Sequence, residues 1–527
     1  MIAEVYPLGR FPRRVTFFDY RCPPDETVDT GDLVAITMRK TKMFAVVKRV
    51  KETSDHARLS IITGVVYKQL YSEQEMLQLE SIAKQLCIAT SQLFYFSIGD
   101  GTAFKPNRKL PVDFGQAHQQ KSLTISTEDS ATIQSAKKVT EQFIQLSTEG
   151  QFALASLVAK KHENTLIICP NIATAEELHG YLPSSLLLHG KTTQKPTKDT
   201  MLQWRERGGT LIGTKQASVL PSRPIDAVVV MQSNNDDYIF QLRNPRFNPA
   251  IAAQDKARRH SAKLYMLDVS LPLEATIRSP QALPPATIIN QSDQLQLEHP
   301  LVSEKTLVVA KNTLQNGKKV LFLLNRKRTT EDKERATNTV GDYLQSALGE
   351  PVRYYSSDQR SPLTGNIHIV TEAFFSDHSL VERYQYGAVI HLLADMSLDS
   401  DSESTLFTYR ELCKMVFFAR RQRAECLIQT FNPELFESFL DQEQFIENQR
   451  AVRERYMLPP FTARVRIENC ENPKLVTDLL PEGIFPVVEG QTVTFSLERH
   501  KWQDLSETFT ELPDSYTLTL STTSYEP

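Results

Sequence analysis

Two stretches of this chain stand where nucleotide chemistry would be done. Thr210 opens the run Thr-Leu-Ile-Gly-Thr-Lys-Gln-Ala-Ser, and Asp226 opens Asp-Ala-Val-Val-Val-Met-Gln-Ser-Asn. An apolar run ending in Gly-Thr, then a second apolar run, is the pattern of buried strands in a nucleotide-hydrolysing α/β domain. In such a domain the second strand ends in carboxylates that hold Mg²⁺ and orient the attacking water. Here it ends in Met231-Gln232-Ser233-Asn234, none of them charged. A strand schedule without its carboxylates points to a fold kept for binding after catalysis was lost. Gly190-Lys191-Thr192 spells the end of a phosphate loop, but the full motif needs glycine where Ser185 stands. Leu186, Leu187 and Leu188 between them predict a strand, not an anion nest.

Other chemistries are excluded by residue type and spacing. The six cysteines, Cys22, Cys87, Cys169, Cys413, Cys426 and Cys470, include no C-x-x-C pair. Zinc sites need closely spaced ligand pairs, so no metal is expected, and the cysteines read as buried reduced thiols. H-E-x-x-H is missing too. Only 19 glycines occur in 527 residues, which weighs against phosphate-cradling loops and leaves no cofactor expected. The net charge of −3 does not announce a nucleic-acid partner for the whole chain, so such a partner must be argued from a local patch. No apolar run approaches the roughly 20 residues that span a bilayer. The first residues lack the order of a secretion signal. A cytoplasmic protein without membrane partners is the expectation.

The elements that would position this chemistry fall into three to four domains, as the length suggests. Residues 1 to about 66 carry short β-branched runs, Asp32–Met38, Phe44–Val50 and Leu59–Val66, spaced for a small barrel or curled sheet. Residues 73–98 read as helical, with Leu77, Ile82 and Leu86 on one face. Residues 99–130, with Gly99, Gly101, Pro106 and Pro111, read as a linker. From about 131, helices alternate with the strands Thr165–Pro170, Ser185–Gly190, Thr210–Thr214, Ala227–Met231 and Lys263–Ser270, predicting a parallel sheet covered on both faces. A second such unit begins near 300 with a helix over Glu304–Leu314 and strands at Lys318–Asn325, Asn366–Thr371, Ala388–Asp395 and Glu425–Phe431. Residues 459–527 form a small α+β tail. No short-period repeat is present.

In this order, the pieces resemble the primosomal protein N′ (PriA) family of bacterial replication-restart helicases. Pro7–Pro23, Gly31–Ile36 and Phe44–Val50 are similar to that family's 3′-DNA-end-binding domain. Thr165–Pro170, Leu188–Lys191 and Ile212–Ser218 resemble parts of its first helicase lobe. Phe322–Arg328 resembles the start of the second lobe, and Cys426–Pro433 and Leu458–Val465 its exit. The resemblance implies a β-barrel-like DNA-binding domain at 1–105, helicase lobes of RecA type at 106–290 and 291–458, and a C-terminal α+β domain at 459–527. It also marks what is eroded. Gly150-Gln151-Phe152 stands where Gly-Lys-Thr would bind phosphates and Mg²⁺. Met231–Asn234 replaces the acidic box, and Asp268–Pro272 replaces Gly-Ser-Ala-Thr-Pro. The run that supplies the arginine finger resembles only Val416–Gln422, with phenylalanines for glycines. The family's zinc-binding insertion is absent after Arg328, and so is most of its winged helix.

The resemblance also marks a DNA site. The Phe-Asp-Tyr motif for the terminal base is kept as Phe18-Asp19-Tyr20. An aromatic offers a stacking face, and a carboxylate accepts a bond from a 3′-hydroxyl. Phe18 reads equally as a barrel-core residue, and Asp19 as a turn acceptor. Arg39 stands at a changed pocket position, where it either replaces a lost lysine or fills the pocket. Arg13, Arg14, Lys40, Lys42 and Lys48, with Arg10, Arg49 and Lys51, concentrate charge that could track a phosphate backbone. Arg420, Arg421 and Arg423 form a second, ambiguous basic group. The expectation is a factor for replication restart or repair that binds single-stranded or forked DNA without ATPase activity, with replication or primosome proteins as further partners. The alternatives are an interaction scaffold with a dead DNA pocket, and an active 3′–5′ helicase with divergent motifs.

Overall fold

The computed structural model describes residues 1–105, 127–136, 141–191, 194–238, 245–270, 273, 283–294, 302–325, 330–356, 363–375, 383–398 and 402–521. Most of the expected linker (106–126), Thr192, Leu271-Pro272 and Arg326–Arg328 lie outside the described residues.

The β-branched runs at the start form five antiparallel strands: β1 (Ile2–Pro7), β2 (Phe18–Arg21), β3 (Leu33–Met38), β4 (Thr41–Lys51) and β5 (Gly64–Tyr67). Their order is β2-β1-β4-β3-β5. The segment leading into β5 bonds back to β2, Arg21 N to Ser60 O at 2.8 Å and Ile62 N to Arg21 O at 3.0 Å. The sheet thus closes into a barrel-like ring. Side chains alternate across its wall. Ala3, Val5, Tyr20, Val34, Ile36, Ala45 and Val47 fill one interior cluster.

The predicted helix over 73–98 is two helices, Glu73–Gln85 and Thr90–Ile98. Cys87, at φ 49°, turns the chain between them. Leu77 is exposed rather than on the buried face with Ile82 and Leu86, because five residues of helix rotate its side chain away from Ile82. The start of the expected linker is not a free tether, since Ala103 and Phe104 are buried in the core.

Two parallel six-stranded sheets follow. Lobe one comprises β6 (Glu141–Gln145), β7 (Thr165–Ile168), β8 (Leu186–Leu188), β9 (Thr210–Gly213), β10 (Ala227–Val230) and β11 (Lys263–Asp268). Lobe two comprises β12 (Thr287–Asn290), β13 (Lys319–Leu323), β14 (Val352–Tyr355), β15 (Ile367–Val370), β16 (Tyr386–His391) and β17 (Glu425–Thr430). The orders are β6-β11-β10-β7-β9-β8 and β12-β17-β16-β13-β15-β14. Counted from one within each lobe, both read 1-6-5-2-4-3, so the lobes repeat one RecA-like topology. The last domain is an antiparallel sheet of β18 (Thr462–Glu468), β19 (Val487–Glu489), β20 (Thr492–Glu498) and β21 (Thr517–Ser521), ordered β19-β20-β18-β21.

One continuous apolar cluster joins the first domain, lobe one and the last domain through residues such as Tyr71, Trp204 and Trp502. Trp502 Nε1 donates to Gln85 O at 3.1 Å. A buried pair of Glu75 and Lys256, 3.2 Å apart, ties the first helix to lobe one. Burial alone would raise the Glu75 pKa, but Lys256 and hydrogen bonds from Ser72 and Ser222 hold it below the usual range. Lobe two has its own cores, one of which takes in Val269 and Leu273 from the end of lobe one. The lobes therefore pack directly against each other.

Candidate functional site

The pleat sorts the first domain's site residues onto opposite faces. Glu4 pairs with Asp19 across β1 and β2, and with Arg49 across β1 and β4. Directly paired residues share a face, so Glu4, Asp19, Arg49 and Lys51 form one cluster outside the ring. Glu4 is 1% exposed. It accepts from Arg49 at 2.8 Å and from Lys51 at 2.8 Å. Burial would raise its pKa, yet the bonds from Arg49 and Lys51 hold it at about 2. Lys51 also reaches Asp19 Oδ2, at 2.9 Å, and Ser54 Oγ donates to the same oxygen. The Asp19 side chain is 5% exposed. Its other oxygen, Oδ1, is buried without a hydrogen-bond partner among the described residues. A buried acceptor in that state costs about 1–3 kcal/mol unless something donates to it.

The remaining predicted residues are dispersed. Tyr20 faces the barrel interior, with its hydroxyl on Thr37 O at 3.2 Å. It is a core residue, because it lies one residue from Asp19 and hence on the other face. Phe18 is half-buried against that interior, with Phe11 edge-on at 5.9 Å. Arg39 and Lys40 form the two-residue loop of the β3–β4 hairpin, at φ 47° and 69°, the backbone of a type I′ turn. Lys51, which touches Asp19, ends β4, and Thr41 begins it. Those ten steps are roughly 30 Å of strand, so Arg39 neither replaces a lysine beside Asp19 nor fills its surroundings. Arg39, Lys40 and Lys42 instead form an exposed basic tip. Lys48 lies over the Phe17 ring at 4.2 Å.

Arg13 is not open to a phosphate backbone, and Arg14, its side chain 66% exposed, is already engaged at the surface. Arg13 is 6% exposed; its guanidinium donates to Tyr516 O and its backbone N–H to Asp514 at 2.8 Å. Arg14 pairs with Glu511 at 2.8 Å. Both clamp the first domain to the last. Sequence reading missed Glu4, Lys51 and Ser54 as the surroundings of Asp19. The β1–β4 register that gathers them is not a local signal.

A second candidate lies between the lobes. Ser147 caps the helix Thr148–Lys161 immediately after β6, accepting from Gly150 N. Helix N-termini at strand ends are anion sites. Gln151, at the position expected of lysine, is fully buried. Its Nε2 donates to Leu146 O at 3.2 Å, and its Oε1 accepts from Gln232 N at 3.0 Å. Phe152 packs in the lobe core against Tyr181, 5.6 Å between rings. Beside Gln232, Asp268 brings in a carboxylate that the sequence reading left unassigned. It accepts from Asn234 N at 2.8 Å and from Ser270 N and Oγ, both at 2.9 Å. The cleft holds a cavity of only about 50 Å³, whereas ligand pockets run to about 300–1,000 Å³. In the Thr210–Ser218 stretch, Lys215 is buried over the Phe247 ring at 4.9 Å, and burial, with Arg246 nearby, holds its pKa down at about 7. Among the described residues, no three His, Cys, Asp or Glu side chains converge to hold a metal ion. No described helix is long and apolar enough to cross a membrane.

These features define the class: two tandem α/β lobes of RecA-like topology flanked by small antiparallel-sheet domains. Residues 13–93 match the sequence model of the PriA 3′ DNA-binding domain (3′BD), a span that includes Asp19, Lys51 and the basic tip. No curated protein sequence matches the chain. Among solved structures, Saccharomyces cerevisiae Dbp5 bound to RNA and ADP BeF3 is similar at 11% identity, TM-score 0.34, covering 62% of this chain and 92% of that one. Mycobacterium smegmatis helicase Lhr bound to ssDNA and AMP-PNP is similar at 12% identity, TM-score 0.39, covering 74% and 61%.

Proposed function

We propose that this protein binds DNA 3′ ends through its first domain and serves replication restart or repair as a PriA-like factor that does not turn over ATP. The observation that carries the DNA reading is the unpartnered Oδ1 of Asp19, buried within the segment that matches the 3′ DNA-binding domain. A 3′-hydroxyl supplies the donor this oxygen lacks, and the exposed tip of Arg39, Lys40 and Lys42 supplies phosphate contacts. Phe18, half-buried with Phe11 packed against it, is not a free stacking platform. The absence of turnover is supported by Gln151 and Gln232, a neutral pair bonded to each other where a lysine and a Mg²⁺-binding carboxylate would be needed.

Binding of matched oligonucleotides ending in 3′-hydroxyl or 3′-phosphate tests the reading. The hydroxyl end should bind roughly tenfold or more tightly, the worth of a hydrogen bond to a charged acceptor. A terminal phosphate would meet the Asp19 carboxylate with like charge. Equal affinity for the two ends would refute end recognition, and no binding at low salt would leave an interaction scaffold as the better reading. DNA-stimulated, EDTA-sensitive ATP hydrolysis would overturn the second half.

A further inference from the structure

Where an external anion would sit at the start of the helix Thr148–Lys161, the chain has placed one of its own. Glu149 lies in the first turn of that helix with its side chain 6% exposed. Its Oε1 pairs with Nη1 of Arg421, from the last turn of the lobe-two helix Ser402–Gln422. A carboxylate at one helix N-terminus thus meets a guanidinium at another's C-terminus, each favoured by its own helix dipole. The contact does not stand alone. Gln145 Nε2, at the end of β6, donates to Gln442 Oε1 of lobe two at 3.0 Å, and the Tyr409 hydroxyl donates to that oxygen at 2.7 Å. Gln145 and Gln442 are 6% and 4% exposed, so opening the cleft would first break a dry polar network. The cavity beside Glu149, lined also by Ser147, Asn234, Asp268 and Lys414, is about 50 Å³, room for a few waters and no more.

We propose that Glu149 is a built-in phosphate mimic that, through Arg421, holds the two lobes closed with no nucleotide bound. The side chain stands in the first helical turn, where the helix dipole favours an anion, and neutralises the cation that lobe two brings there. Lobe closure is then a fixed property of the chain rather than a response to a ligand, and the lobes present one constant surface. The inference does not depend on the DNA reading, because a locked pair of lobes is compatible with an active or an inactive first domain.

The test is pulsed EPR on the full chain with Cys22→Ser, spin-labelled at Lys161→Cys in lobe one and Lys311→Cys in lobe two. Both labelled positions are exposed, and the other five cysteines are buried. The parent should give one narrow distance distribution, unchanged by Mg²⁺ with a non-hydrolysable ATP analogue. Glu149→Gln, nearly isosteric, and Arg421→Ala should each raise a longer-distance population by roughly tenfold, while Arg421→Lys, which keeps the charge, should stay mostly closed. A broad or nucleotide-responsive distribution in the parent would overturn the proposal. So would Glu149→Gln and Arg421→Ala distributions as narrow as the parent's. Retained binding of a single-stranded oligonucleotide, or an unchanged circular dichroism spectrum, would show that the variants are folded.

Discussion

Asp19 and Asp268 are both strand residues with buried carboxylates, and they are wired in opposite ways. Asp268, 6% exposed, accepts three hydrogen bonds, two from Ser270 beside it and one from Asn234 N at the end of the neighbouring strand, so both its oxygens are satisfied. Asp19 spends one oxygen on Ser54 and Lys51 and keeps the other buried and unsatisfied. A carboxylate with both oxygens satisfied by the chain stabilises the fold and has little left for a ligand. One left short of a donor costs stability until a ligand supplies it. In the interlobe cleft Gln151 bonds Gln232 and Glu149 bonds Arg421. The outer face of the first domain leaves Asp19 Oδ1 without a partner among the described residues.

The largest expected effect separates the two carboxylates. Asp268→Ala strands the Asn234 and Ser270 donors and should cost about 2–4 kcal/mol, read as a clear drop in thermal midpoint. Asp19→Ala should cost less than about 1 kcal/mol, since its lost bonds are offset by removing an unsatisfied acceptor, and it should abolish the 3′-hydroxyl preference. Equal stability losses would break the comparison.

A smaller effect should follow pH. Glu4 anchors the outer face, and its folded pKa of about 2 lies below the ordinary glutamate value of 4.5. The unfolded chain therefore takes up its proton first as pH falls. The stabilisation is fully present above pH 4.5 and lost between about 4.5 and 2. Glu4→Gln should remove on the order of 2 kcal/mol at pH 7 and flatten that acid limb. An unchanged limb in acid-unfolding titrations would show that Glu4 is not linked to folding.

The smallest effect concerns the hairpin tip. Replacing Arg39, Lys40 and Lys42 by alanine should lower the slope of log affinity against log salt by about 2 for single-stranded DNA, without altering the 3′-end preference. Loss of the preference together with the slope would merge two sites that the geometry holds apart.

Much of the architecture was legible because buried parallel strands are continuous apolar runs. Thr165–Ile168, Thr210–Gly213 and Ala227–Val230 are of this kind, and they lie in the interior of the sheet. The lobe strands the sequence hid, Glu141–Gln145, Thr287–Asn290 and Val352–Tyr355, are all sheet edges. An edge strand is covered less completely and tolerates polar residues, so its pattern resembles a loop. Cys87 broke a helix that periodicity ran straight through, because a single left-handed residue leaves no trace in hydrophobic spacing.

The sequence by itself determined the β-rich first domain, the two alternating α/β lobes, and the neutral residues at Gln151 and Met231–Asn234. These follow from side-chain type and short-range period. Tertiary structure decided which charges are available. It bonded the Arg13 guanidinium to Tyr516 O, 503 residues away, and that of Arg421 to Glu149, 272 residues away. It also set Glu4, Asp19 and Lys51 on one face while carrying Arg39 to the far end of a strand. An arginine is equally basic in sequence wherever it stands. Whether its charge meets solvent, DNA or a carboxylate of its own chain depends on sheet register and domain packing, which bring together residues that no local pattern connects.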